Sequence, residues 1–171
     1  MISRFIALFL ILLWPASALA AESKPIPTAN FAKPGQPVKT KYFSVSPPPD
    51  WVMPAPIKTR PGGISCVFLD RKSGNTINYA ILDIDAKSPE FASRVIETIK
   101  NSGLRTGKLE NTAELYRAEI NDKTKGEIWL GCDGKICAST VILGEKLDKK
   151  SVNAFLSAFR ATAPVFPKKM K

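Results

Sequence analysis

Two periodicities divide the chain. Short runs of strand character, separated by Pro- and Gly-rich or polar turns, lie within Tyr42–Ile84 and Ala113–Leu143, and apolar residues recur at spacings of three and four over Ser88–Gly103 and Asp148–Arg160. The first pattern predicts strands. Tyr42-Phe43-Ser44-Val45-Ser46 alternates briefly before Pro47-Pro48-Pro49-Asp50-Trp51 stops pairing and turns the chain. Ile64 to Leu69 places Ile64, Cys66 and Phe68 on one face and Ser65, Val67 and Leu69 on the other. Thr76 to Ile84 is apolar on both faces, as a central strand would be. Three more strands are predicted at Ala113–Ile120, Gly126–Cys132 and Ile136–Leu143.

The second pattern predicts helices. At Ser88-Pro89-Glu90 a hydroxyl can meet the orphan amides, proline suits the first helical position, and an acid sits near the positive end of the dipole. Phe91, Ala92, Val95, Ile96 and Ile99 then form one stripe, and Gly103 supplies the exit. Val152, Phe155, Leu156 and Phe159 form the stripe of a second helix over residues 148–160, closed by Pro164 and Pro167. The expected architecture is therefore α+β: an antiparallel sheet of five to six strands covered by two amphipathic helices, at 88–102 and 148–160.

The ends of the chain read differently. Arg4 precedes Phe5–Trp14, an apolar run of ten residues, shorter than the roughly 20 that a spanning helix needs. Pro15 and the small residues Ala18-Leu19-Ala20 follow, so residues 1–20 are expected to be a signal peptide cleaved between Ala20 and Ala21, with a cut after Ala18 as the alternative. This predicts a periplasmic or secreted protein. Residues 21–40, with Pro25, Pro27, Pro34, Gly35 and Pro37, read as a flexible arm, 41–165 as one domain, and 166–171 as a basic tail.

Cys132-Asp-Gly-Lys-Ile-Cys137 is the sharpest local signal. With Gly134 and Lys135 as the central turn residues, Asp133 faces Ile136, Cys132 faces Cys137, and the pairs 130/139 and 128/141 continue outward. That register gathers Ile128, Leu130, Cys132, Cys137, Val141 and Leu143 on one face and brings the cysteine backbones close enough to bridge. In an oxidising compartment a Cys132–Cys137 disulfide is expected, its short loop contributing about 2 kcal/mol. A redox site would favour CxxC at a helix start over CxxxxC on a hairpin. Cys66, the odd thiol, lies on an apolar strand face; the spacing alone leaves open a link from it to either hairpin cysteine.

Composition removes several chemistries. The 171 residues include no histidine, which excludes Ser-His-Asp and Cys-His nucleophile systems, histidine-ligated zinc and HExxH. No phosphate-cradling glycine loop and no metal-ligand cluster is visible, so neither cofactor nor metal is expected. The net charge of +10 is diffuse, without an arginine cluster to track a phosphate backbone. Nucleic acid is therefore not expected as a partner, and membranes enter only through weak electrostatic attraction. The candidate binding residues are Trp51 and Trp129, as aromatic platforms or core, and Asp83 and Asp85, two carboxylates at i and i+2 near a strand end.

The Phe43-Ser44-Val45-Ser46-Pro47-Pro48-Pro49-Asp50-Trp51 opening resembles the FSVxxPxxW-like start of the PsbP-like fold group, and the order of elements over residues 41–165 is similar too. That group includes photosystem II extrinsic subunits and DcrB-like bacterial envelope proteins and is mostly non-enzymatic. The resemblance implies an α/β/α sandwich with a binding or assembly role, and carries no catalytic residue. The leading expectation is an exported, non-catalytic binding or assembly-accessory protein with a protein partner in the cell envelope. A small periplasmic enzyme using carboxylates or a thiol, and an envelope-surface protein held by its basic arm, are the alternatives.

Overall fold

The computed structural model of the protein describes residues 35–112 and 115–170. The expected leader, its Ala20/Ala21 junction and residues 21–34 of the arm lie outside the described residues. The elements run β1 (Val38–Lys39), β2 (Phe43–Val45), β3 (Trp51–Val52), β4 (Lys58–Arg60), β5 (Gly63–Asp70), β6 (Thr76–Leu82), α1 (Ser88–Asn101), β7 (Glu110–Asn111), β8 (Tyr116–Asn121), β9 (Lys125–Cys132), β10 (Cys137–Gly144), α2 (Lys149–Ala158) and β11 (Phe159–Ala161). An eight-stranded antiparallel sheet follows the order β3-β5-β6-β10-β9-β8-β7, with β4 also on β5, and β1-β2-β11 form a second sheet.

This corrects the expected α+β sandwich of five to six strands covered by two helices. The described residues are 40 % strand and 18 % helix, a mostly β composition with two sheets. Six of the strands span only two or three residues. Such pieces are too short to show a period, and pairing with distant partners is what makes them strands. Val38 and Lys39, within the stretch read as an arm, pair with Val45 and Ser44. The second helix stops at Ala158 because Phe159, Arg160 and Ala161 turn extended and pair with Val45, Ser44 and Phe43. Phe159 continues the helical stripe in sequence, but its ring is buried through a strand.

The large sheet buries its two faces differently. On one, α1 sets Phe91, Val95, Ile96 and Ile99 against Ala118, Ile120, Ile128, Leu130 and Val141 of β8, β9 and β10. Ser88 does not cap this helix. The cap position is Lys87, and the Ser88 hydroxyl instead donates to the Cys132 carbonyl (3.1 Å) and accepts from the Cys132 amide (2.9 Å), tying the helix start to β9.

The other face carries rings. Phe68 and Tyr79 meet Phe43 from β2, Phe155 from α2, Phe159 from β11 and Phe166 from the C-terminal segment, at centroid distances of 4.8–6.2 Å. Phe166 and Met170, in the stretch read as a basic tail, are buried, and the Met170 amide donates to Asn153 Oδ1 (2.7 Å). Val165 crosses close above β9, where a side chain at Gly131 would stand 2.5 Å from Leu115.

A buried polar junction fastens α2 to the sheet. Asp148 caps the helix by accepting the Lys150 and Ser151 amides, while Asp70 accepts from the Ser151 hydroxyl (2.5 Å), the Ser73 hydroxyl (2.6 Å) and the Lys72 amide (2.9 Å). Trp51 Nε1 completes the junction on Ser151 Oγ (3.1 Å). Burial by itself pushes the Asp70 carboxyl up, but these donors outweigh it and hold the group below its ordinary value.

Two measurements test this packing. Phe155→Ala empties a fully buried ring site and should cost about 3–5 kcal/mol in urea unfolding. Because Asp70 is held below its ordinary value, its contribution is complete above the normal carboxylate range and disappears as pH falls through its folded value. Asp70→Asn should therefore flatten the acid limb of stability against pH; an unchanged slope would remove Asp70 from the account.

Candidate functional site

The four candidate binding residues part company in the fold. Trp51 is buried, with its ring 4.7 Å from Phe155 and its indole N–H on Ser151. Trp129 is buried on β9, directly opposite Thr140 and Arg117, and donates Nε1–H to Glu127 Oε2 (3.0 Å). Each indole has its polar handle satisfied internally, so neither stands as a surface platform. Asp83 and Asp85 lie in the exposed segment after β6, and only Asp83 is drawn into contacts. Cys66 is a free, fully buried cysteine facing Tyr79 of β6, and burial pushes its thiol far above the usual range.

Around Asp83 three distant segments converge. Lys41 Nζ donates to Asp83 Oδ2 and Tyr42 Oη to Asp83 Oδ1, both at 2.8 Å, and the Lys41 ammonium lies 4.7 Å from the centre of the Tyr42 ring. The Lys41 hydrogen bond, then that from Tyr42, holds the Asp83 carboxyl below its ordinary value. Thr162, just after β11, donates both its amide (3.0 Å) and its hydroxyl (2.8 Å) to the Tyr42 carbonyl. Together with Asp133, Lys135, Ile136 and Ala163 these residues line an open cleft of about 330 Å³.

The hairpin tip forms one wall of this cleft. Cys132 and Cys137 are disulfide-bonded and directly paired, with Cα atoms 4.1 Å apart, and the register continues through Leu130/Ser139 and Ile128/Val141 as the alternation predicts. Gly134 takes a positive φ of 87°, which a side chain would strain. Asp133 Oδ1 accepts the amides of Lys135 and Ile136, both at 2.9 Å, and the Ile136 amide contributes most to holding its carboxyl below the ordinary value. The bridge also resolves the cysteine alternatives: Cys66 is in no link. A disulfide in this position fits a protein that works in an oxidising compartment.

Sequence reading missed a buried charge cluster. Arg117 reaches Glu127 (2.6 Å), Glu119 (3.0 Å) and Glu110 (3.2 Å), and lies 5.8 Å from the Trp129 ring. Arg117 and Glu127 are both buried. The signal was present: Arg117, Glu119 and Glu127 share the face of β8 and β9 turned away from α1, alternating with Ala118, Ile120 and Ile128, and Arg117 and Glu127 are buried there while Glu119 is exposed. Lys41 and Tyr42 gave no such signal, because their partner Asp83 is about forty residues away.

Among the described residues no group of three or more His, Cys, Asp or Glu side chains is placed to hold a metal ion, and no helix is long and apolar enough to cross a membrane. No family model matches the sequence, and no curated protein does. A solved structure from Bacteroides thetaiotaomicron VPI-5482 is similar over 71 % of this chain at 12 % identity, with a TM-score of 0.42; the chain spans 46 % of that protein's length.

Thiol counting tests the cysteine assignment. The native protein should show no reactive thiol, one after denaturation without reductant, and three after denaturation with it. Three thiols without reductant would remove the bridge, and a reactive thiol in the native state would contradict the burial of Cys66.

Proposed function

We propose that this chain is an exported, non-catalytic binding protein of the bacterial cell envelope, which engages a protein partner through the Asp83 cleft. The observation that carries the reading is the convergence there of exposed polar groups from three segments, beside a wall closed by a disulfide. Export is supported by the Arg4, Phe5–Trp14 and Ala18-Leu19-Ala20 leader pattern and by the disulfide itself.

The non-catalytic reading is supported by how the reactive groups are spent. The Cys66 thiol is sealed in the core, Asp83 is occupied by Lys41 and Tyr42, and Asp85 is solvated away from that cluster. A catalytic carboxylate or thiol needs access to substrate and a partner group poised for proton transfer. The resemblance of Phe43–Trp51 to the mostly non-enzymatic PsbP-like group points the same way.

The test is capture from envelope extract. Immobilised mature protein should retain one or a few envelope proteins, and the double variant Lys41→Glu/Lys135→Glu should lose them while keeping the native thermal midpoint. Retention of nothing by the wild type, or equal retention by the variant, would overturn the cleft as the binding face.

A further inference from the structure

We infer that the cleft recognises a carboxylate carrying a small apolar group on the neighbouring carbon. This rests on the reading of the cleft as a binding face and adds the chemistry of what it binds. The argument turns on which hydrogen-bonding groups remain unspent. Both oxygens of Asp83 are occupied, Oδ2 by Lys41 and Oδ1 by Tyr42. Asp133 Oδ1 is occupied by two amides of its own turn. The Tyr42 hydroxyl has donated its proton to Asp83, and the Thr162 amide and hydroxyl have donated theirs to the Tyr42 carbonyl.

Two ammonium groups remain. The Lys135 ammonium makes no hydrogen bond or ion pair among the described residues, and Lys41 uses one of its three N–H donors on Asp83. Both Asp83 oxygens and one of the two Asp133 oxygens are thus engaged, while most of the ammonium donors are not. The spare capacity of the cleft is mostly donor, which suits a ligand that brings negatively charged acceptors. The buried Ile136 and half-buried Ala163 lie in the same lining, giving apolar contact to a small side group beside the anionic end. The net charge of +10 favours the approach of such a group.

The probes are N-acetylalanine, its neutral amide and inorganic phosphate, titrated into the full mature protein and followed by amide chemical shifts. N-acetylalanine should move the resonances of Asp133, Lys135, Ile136 and Thr162 saturably, the amide should not, and phosphate should bind more weakly because it lacks the apolar group. Lys135→Gln should weaken N-acetylalanine about three- to fivefold, the range for one exposed ion pair, and raised salt should do the same. Equal shifts with the amide, tighter binding of phosphate, or no saturable shift would each overturn the inference. Capture of envelope proteins that the double variant loses, with none of these shifts, would leave the cleft as the binding face and remove only its carboxylate chemistry.

Discussion

The burial of aromatic rings on one face of the large sheet is the constraint from which the other arrangements follow. Tyr79 sits on central strand β6, with its ring stacked 4.8 Å from Phe159 and within 6.2 Å of Phe43, Phe68 and Phe166. Each such ring removes roughly 150–250 Å² from water, so the face that carries them needs a second layer. The helix α2 alone does not supply it. Strands β2 and β11 pair with each other and bring Phe43 and Phe159 down onto Tyr79. Once they are pinned there, the residues flanking them, Lys41 and Tyr42 on one side and Thr162 on the other, come to the end of β6 where Asp83 leaves the sheet. The cleft is a consequence of the ring layer.

Local periodicity made much of the framework legible. The β9–β10 register, with Cys132 opposite Cys137, follows from alternation plus one turn, because both strands are long and a single-residue slip would turn Ile128, Leu130 and Val141 off the α1 face. The α1 stripe was equally readable. What local pattern could not show is where a helix yields to a strand. Val152, Phe155, Leu156 and Phe159 are a continuous helical stripe by spacing, yet the backbone at Phe159 is extended because Val45, more than a hundred residues earlier, offers a pairing edge. The same non-local pairing turns Val38–Lys39 from arm into strand and gives the molecule two sheets in place of a sheet between two helices.

The candidate site was less legible, for a related reason. Trp51 and Trp129 stand out in sequence as large amphipathic rings, but a ring with an N–H can be buried wherever a hydroxyl or carboxylate receives that proton, and Ser151 and Glu127 do so. Asp83 and Asp85 looked equivalent at i and i+2. Only Asp83 lies within reach of Lys41 and Tyr42, and no property of its neighbours in sequence announces that.

The division between buried and exposed polar groups explains why the proposed binding face lies at the rim. Glu127 and Arg117 are desolvated together, and removing Arg117 would strand the buried Glu127 carboxylate without its cation, so Glu127 is not free to exchange its partner for a ligand. Asp70 is held by the two serine hydroxyls and an amide in the same way. At the cleft the balance is different on its two walls. The hairpin wall is covalently closed by Cys132–Cys137, with the Asp133 carboxylate fixed on its own turn. The facing wall rests on the Lys41–Asp83 pair, whose Lys41 side chain is 67 % exposed. Solvent screens so exposed a pair, and it adds little to stability. Lys41 can therefore leave Asp83 for another acceptor at little cost, without disturbing the sheet behind it. One wall is covalently fixed, and the other is held by a pair that can exchange.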